Sequence, residues 1–345
     1  RAVGTRTASS STCPDRVLML PVVVDAMGGD DAPGAVVEGA RHAADAGVPV
    51  ILVGPADLGD RVDIGDLELI EASEVIEMHD DPAAGVRRKK DSTLVRAAEA
   101  VRDGRASAMV SAGNTGATMA SALLRMGRLP GVARPAIATI IPVPGATPTV
   151  LLDAGANAEV SAEWLGQFAV MGSVFAHHRL GIDRPRVGLL SIGEEPGKGD
   201  PLRKEAHAVL DGLSGLNFIG NVEGRDVMSD TCDVVVTDGF TGNVVLKTLE
   251  GAMRTVLGAL RQAISVDPAL VEHALGLEPV LTPFVQSLEA ETYGGAMLLG
   301  TDGVCIISHG SSSPTAITNA ISVAAEMVRS DVVASIATAI RPEPS

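Results

Sequence analysis

The chain has 345 residues, a formal net charge of −16 and only 2% aromatic residues. That charge repels phosphate backbones, and few rings are present on which bases could stack, so nucleic acid is not an expected partner. With 46% apolar residues and 38 glycines, the length suits one large α/β domain or two smaller ones with a core of Val, Leu, Ile, Ala and Met.

Residues 1–16 are rich in Ser, Thr and Arg and lack an apolar h-region. They read as a disordered leader rather than a secretion signal. Residues 17–340 read as a single α/β domain. Strands are expected at Val22–Val24, Val50–Val53, Ala108–Ser111, Ile137–Ile141, Thr149–Leu152, Val187–Ser191, Phe218–Ile219, Val234–Val236 and Val304–Ser308. Between most of them lie helix-length segments at Gly34–Ala46, Thr93–Val101, Thr118–Met126, Ala162–His178, Leu202–Leu210, Val244–Ile264 and Thr315–Val328. Strands that are apolar throughout point to a mainly parallel sheet covered on both faces, a doubly wound α/β sandwich.

Residues 244–293 lack strand signals. Val245, Leu249, Met253, Leu257 and Leu260 form one helical stripe, and Val280, Leu281, Phe284, Val285 and Leu288 form a second after a break at Pro279. This segment is expected to be a helical hairpin leaving the sheet, used for dimerisation or membrane contact. No apolar run approaches the roughly 18 residues needed to span a bilayer. Cys13, Cys232 and Cys305 are too scattered for a disulfide framework or a zinc site.

Ligands in open α/β sheets bind beyond the carboxyl ends of the strands. Six strand ends here carry Gly with Asp, Asn, Ser or Thr, and they are expected to converge on one edge as an anion-friendly cleft. The sharpest is Ser111-Ala112-Gly113-Asn114-Thr115-Gly116, where a strand, a glycine-broken turn and a helix opening leave backbone N–H groups free for an anion. Asp25, Gly28 and Gly29 follow the first strand. Asn157, Asp238 and Asn243 follow later ones, and Ser311 and Ser312 follow the last. Lys198, between two glycines, can reach an oxyanion as a mobile point charge. His309 at a strand-to-helix turn suits a general acid or hydrogen-bond donor. Arg87-Arg88-Lys89-Lys90 is the one tight basic cluster, read as a docking point for an acidic protein or a phosphorylated substrate arm. No metal is expected, because adjacent carboxylates such as Asp30 and Asp31 usually cap turns, and no cofactor is expected, because the turn at Ser111–Gly116 is neither Gly-x-x-x-x-Gly-Lys-Ser/Thr nor Gly-x-Gly-x-x-Gly.

These residues resemble a known family. Asp25-Ala26-Met27-Gly28-Gly29-Asp30, Val86-Arg87-Arg88-Lys89-Lys90, Ser111–Ala117, Phe218-Ile219-Gly220-Asn221-Val222-Glu223, Thr237–Asn243, Tyr293-Gly294-Gly295-Ala296 and His309-Gly310-Ser311-Ser312 follow the order of the bacterial phosphate acyltransferase (PlsX) family from about Val22 to Val328. The resemblance implies a fold like that of isocitrate and isopropylmalate dehydrogenases and phosphotransacetylases. It implies conversion of acyl-[acyl carrier protein] and inorganic phosphate to acyl phosphate and free carrier protein. It further implies a cytoplasmic, peripherally membrane-associated homodimer that passes acyl phosphate to a membrane glycerol-3-phosphate acyltransferase in phospholipid synthesis. On this basis Lys198, His309, Asn114 and Asp238 are the catalytic candidates. Asp25, Gly28, Gly29, Gly113, Thr115, Gly116, Asn157, Asn243, Ser311 and Ser312 are candidates for phosphate or substrate binding, and Arg87, Arg88, Lys89 and Lys90 for carrier binding. Asp31 stands where the family usually has His, which weakens any catalytic expectation there. A phosphotransacetylase-like enzyme using acyl-CoA and a non-catalytic carrier-binding scaffold are the competing readings.

Overall fold

Short β-branched runs with no solvent-facing position set most of the strands. In chain order they are β1 Val22–Asp25, β2 Val50–Gly54, β3 Glu68–Glu71, β4 Ala108–Ser111, β5 Ala136–Ile141, β6 Thr149–Leu152, β7 Val187–Leu190, β8 Phe218–Val222, β9 Val234–Val236, β10 Ala296–Leu299 and β11 Val304–Ile307. The helices are α1 Gly34–Asp45, α2 Leu58–Arg61, α3 Pro82–Arg88, α4 Thr93–Arg102, α5 Thr115–Ser121, α6 Ala162–Leu180, α7 Pro201–Asp211, α8 Gly239–Ser265, α9 Pro268–Leu288, α10 Pro314–Arg329 and α11 Val332–Ile340. This computed structural model describes residues 19–266, 268–288 and 290–341. The leader expected over 1–16 lies outside the described residues.

All eleven strands join one sheet in the order β3-β2-β1-β4-β11-β10-β5-β6-β9-β7-β8. Strand β1 shows how both faces are covered. Val22 and Val24 pack into the cluster built with α1, α6, α10 and α11, while Val23 faces the cluster built with α4 and α5. Successive side chains on a strand point to opposite faces, so a strand buried on both sides has to be apolar throughout.

Strand direction corrects one expectation. Strands β3, β2, β1, β4 and β11 run parallel, and so do β6, β9, β7 and β8. Between the two sets, β10 is antiparallel to β11 and to β5, and β5 is antiparallel to β6. Three reversals leave the two parallel halves pointing in opposite directions. The six glycine-rich strand ends therefore do not converge. Those after β1, β4 and β11 leave one edge, and those after β6, β7 and β9 leave the other.

The expected elements are present with shifted ends. The helix expected from Thr118 begins at Thr115 and finishes in a π-helical turn over Ala122–Met126. Two strands had no clear signal. Strand β3 is an edge strand with exposed Glu68 and Glu71 at its ends, and β10 follows Gly294 and Gly295, both at positive φ. Pro279 does not break the second hairpin helix, because α9 runs through both Pro279 and Pro283.

Candidate active site

At the edge where β1, β4 and β11 end, three loops are fastened to one another. Asp25 closes β1 with 2% exposure. Its Oδ1 accepts from Met27 N at 3.2 Å and its Oδ2 from Ser111 Oγ at 2.8 Å. The same Ser111 Oγ accepts from Gly113 N at 3.0 Å. Burial pushes the Asp25 carboxyl above its ordinary range, against the lowering effect of its hydrogen bonds to Thr93, Ser111 and Met27. Gly28 is required by close approach, since a Cβ there would lie 2.7 Å from both Asp25 Oδ2 and Gly113 N. Asp25 and Gly113 thus build the floor of the turn rather than present groups to a ligand. Of the expected binders here, Thr115 is exposed and Gly116 is half-buried against Pro82.

Asn114, expected as a catalytic donor, has its amide engaged within the fold. Its Oδ1 accepts from Ala117 N at 3.0 Å, capping α5, and its Nδ2 donates to the carbonyls of Met78 at 3.0 Å, Glu77 at 3.3 Å and Asp80 at 3.4 Å. Both ends of the amide are occupied, so the side chain fastens the 77–80 loop to the turn. That loop borders the last of the three, because a Cβ on Gly310 would touch Met78 Cε at 3.5 Å. Asp30 N donates to Gly310 O at 2.7 Å, which brings Gly29 and the β1 loop against the β11 loop.

The β11 loop holds His309, which is exposed. Ser311 N donates to His309 Nδ1 at 3.2 Å, and Ser311 Oγ lies 2.8 Å from the same atom. A nitrogen that accepts a backbone N–H carries no proton, so the neutral ring holds its hydrogen on Nε2. Ser308 and Ser312, both buried, share a hydroxyl hydrogen bond of 2.8 Å beneath the turn. Ser313 caps α10, accepting from Ala316 N at 3.2 Å and donating to Glu291 Oε2 at 2.7 Å. Glu291 follows α9, so the return of the hairpin is fixed to the His309 turn.

A cleft of about 560 Å³ opens beside this turn. One wall carries Ser308, His309, Ser311 and Ser312. The other is α8, with Leu246, Leu249, Met253 and Leu257, and Ile140, Ile141 and Met228 close it from the sheet side. Helix α8 joins the two edges of the sheet. It starts at Asp238, beyond β9, passes β5 and β6 and reaches the His309 edge over 27 residues, about 40 Å. Much of the stripe expected to form a dimer interface therefore lines a cleft within one chain. The sequence reading missed this wall, as well as Arg254 and Arg261 on it. The signal available was their spacing of seven, two helical turns on one face.

The other expected residues gather at the opposite edge. Asp153 accepts from the backbone N–H groups of Ile137, Gly155, Ala156 and Asn157 at 2.7–3.1 Å. Burial still pushes its pKa up. Asn157 Nδ2 donates to Pro135 O at 2.8 Å and Asp153 Oδ2 at 2.9 Å. Asp238 caps α8 through Thr241 N at 2.8 Å and is paired with Arg203, which also bonds Asp200. Burial acts to raise the Asp238 pKa, but hydrogen bonds from Thr241 and Arg203 outweigh it and hold it below the ordinary range. Asn243 is exposed beside Gly155, and Lys198 is exposed on the loop after β7. Lys198, Asp238, Asn157 and Asn243 are thus not assembled with His309, because the reversal at β10 and β5 separates them.

The basic cluster is also divided. Lys89 Nζ donates to Val75 O at 2.7 Å and pairs with Asp80 at 2.6 Å, which closes its own loop. Arg87, Arg88 and Lys90 remain exposed at the end of α3. Cys232 and Cys305 are buried free thiols, pushed up to about 12 by burial, so neither presents a nucleophile.

The fold is similar to that of a phosphotransacetylase from Streptococcus pyogenes, with a TM-score of 0.60 and 18% identity over 90% of this chain and 94% of that one. A protein of Myxococcus xanthus named phosphate acyltransferase is 49% identical, covering 91% of this chain and 92% of its own length. One of the same name from Halothermothrix orenii is 45% identical over 90% of this chain and 96% of its own. Residues 20–335 match the pattern of the family described as fatty acid synthesis protein, and with such relatives the chain belongs to that family.

Proposed function

We propose that the chain is a phosphate acyltransferase, converting acyl-[acyl carrier protein] and inorganic phosphate to acyl phosphate and free carrier protein in phospholipid synthesis. The observation that carries this reading is the cleft at the His309 edge, where an apolar helical wall faces an imidazole-and-hydroxyl turn. A fatty acyl chain gains about 0.8 kcal/mol per buried CH₂ along such a wall, which places its thioester at the polar side. The phosphate oxygen attacks the thioester carbonyl, forming a C–O bond and a tetrahedral oxyanion. Collapse of that oxyanion breaks the C–S bond, and the departing thiolate takes up one proton. His309, with its hydrogen on Nε2, is the group in the cleft suited to donate to the oxyanion or the sulfur. Because phosphate is itself the nucleophile, the protein's part is positioning and charge stabilisation.

The same reading makes the protein a homodimer that meets the membrane surface peripherally and passes acyl phosphate to a membrane glycerol-3-phosphate acyltransferase. Its support is the hairpin of α8 and α9, where Val256, Leu275 and Val280 are at least 62% exposed. Among the described residues no helix is long and apolar enough to cross a membrane. Lys198, Asn157 and Asn243 keep a substrate role in this reading only as a second cluster at the opposite edge, and Arg87, Arg88 and Lys90 as a carrier-docking patch.

Incubation with palmitoyl-acyl carrier protein, with and without phosphate, tests the reaction by following free thiol and acyl phosphate. Phosphate-dependent release of thiol with matching acyl phosphate is expected, faster than from palmitoyl-CoA. Carrier binding without turnover would leave a scaffold instead.

A further inference from the structure

The cleft wall on α8 carries two cations that serve no fold interaction. Arg254 and Arg261 both line the cleft and are exposed, and neither makes an ion pair or side-chain hydrogen bond among the described residues. Of the two carboxylates in the cleft one is neutralised by a cation and the other, Glu291, keeps its charge, which leaves two guanidiniums against one anion. Glu250 pairs with Lys247 Nζ at 2.8 Å, and Glu291 accepts from Ser313 Oγ at 2.7 Å. In a chain of net charge −16, two unpaired guanidiniums on one helix face concentrate positive potential locally.

Between them lies Gly258, four residues after Arg254 and three before Arg261, hence on the same face. It also lines the cleft, and a Cβ placed there would meet nothing within 4 Å. Glycine inside a helix costs about 1 kcal/mol relative to alanine. No close approach by a neighbouring element requires it here. What it provides is a notch between two side chains whose planar forks match a phosphate group.

We propose that Arg254, Gly258 and Arg261 form a binding notch for a phosphate group in the cleft. This rests on the phosphate acyltransferase reading. Two reactants of that reaction carry such a group: the free phosphate ion, and the phosphodiester of the carrier protein's pantetheine arm. The notch stands on the same wall as the apolar residues Met253 and Leu257, so an anion held there lies alongside an acyl chain bound in the cleft, facing His309.

The test starts from the unmodified full chain turning over palmitoyl-acyl carrier protein and phosphate. Absence of that reaction counts against the function and not against the notch. Arg254→Gln, Arg261→Gln, their combination and Gly258→Leu are then compared with Arg184→Gln, the same charge change at a surface site outside the cleft. If the free ion occupies the notch, KM for phosphate rises by about tenfold or more in the double variant and in Gly258→Leu. If the arm occupies it, KM for palmitoyl-acyl carrier protein rises, and KM for palmitoyl-pantetheine, which lacks the phosphodiester, does not. Because both arginine side chains are exposed, their variants keep the parent's thermal melt, and Gly258→Leu, which removes a glycine from a helix interior, melts no lower than the parent. Gly258→Leu closes the notch with both charges intact, so it separates a shaped site from general attraction. Unchanged KM values for both reactants in the double arginine variant overturn the proposal.

Discussion

Ser311 N donates to His309 Nδ1 at 3.2 Å, and this bond directs the ring's hydrogen outward on Nε2. A proton donor to a departing thiolate or a developing oxyanion needs that tautomer. His309→Gln keeps polarity but cannot reproduce the ring geometry, and is expected to lower kcat by 10²- to 10⁴-fold, the usual range for a positioned acid or base. Ser311→Ala retains the backbone N–H and should cost much less. Steady-state rates with palmitoyl-acyl carrier protein settle it, and His309→Gln turning over at more than a tenth of the parent rate would remove the donor role.

Ser111 illustrates a different dependence. Its hydroxyl donates to the buried Asp25 carboxylate and accepts from Gly113 N. Ser111→Ala leaves both groups short of a partner in a site without water access, so we expect a loss of about 1–3 kcal/mol in urea unfolding. A change under 0.5 kcal/mol would show that the Asp25–Ser111 link does not hold the loops together.

How far the sequence could be read follows from which interactions are local. Buried parallel strands such as β1 and β4 are visible because both of their faces must be apolar, whereas the cap at Asn114 is not, because a polar residue at a strand-to-helix turn serves a ligand or the helix equally well. Of the three antiparallel pairings, β10 with β11 and β5 with β6 are local, but the one that joins the two halves, β10 with β5, links segments more than 100 residues apart, and the four residues of β10 give no sign of that partner. That one non-local fact decides which loops share an edge, and it separates Lys198 and Asp238 from His309. Likewise, Leu249 and Met253 have the spacing of any buried helical stripe. Whether such a stripe covers a core, a partner or a cleft depends on what lies opposite it.

Asn114 is a catalytic candidate by sequence, and its geometry predicts a stability defect. Asn114→Ala removes the α5 cap and the donors to the 77–80 loop. The cap alone is worth about 1 kcal/mol. Chemical unfolding of the variant should show at least that loss, accompanied by easier proteolysis at residues 77–80. An intact unfolding midpoint with a raised phosphate KM would restore the ligand role.

The Arg203–Asp238 pair predicts a response to acid. Asp238 has its folded pKa held below its ordinary value of 3.8, so its stabilisation is fully present above that value and is lost as pH falls through the lowered folded pKa. Asp238→Asn should therefore be less stable than the parent at pH 7, by about 3 kcal/mol for a buried pair broken on one side. The gap should narrow as the pH is lowered below about 4. A gap that is constant with pH would mean that the carboxylate charge contributes nothing.

The hairpin offers the last test. Val256 is 66% exposed on α8 and Val280 is 70% exposed on α9, far more than a monomer in water has reason to leave uncovered on adjacent helices. Neither lines the cleft, so they can be altered without touching the acyl wall. The reading of this hairpin as a dimer contact with a membrane-facing tip expects apolar attachment, because a chain of net charge −16 is repelled by anionic lipid. Binding to vesicles of anionic phospholipid should then survive high salt. Val256→Glu combined with Val280→Glu should leave the single chain folded, with an unchanged far-UV circular dichroism spectrum, since both side chains are already in water there, while the midpoint falls only by what dimerisation contributes. The same variant should sediment as a monomer, or leave the vesicles, or both. If it stays dimeric and still floats with vesicles, the two exposed valines cover nothing, and both the dimer and the membrane must be sought on another face.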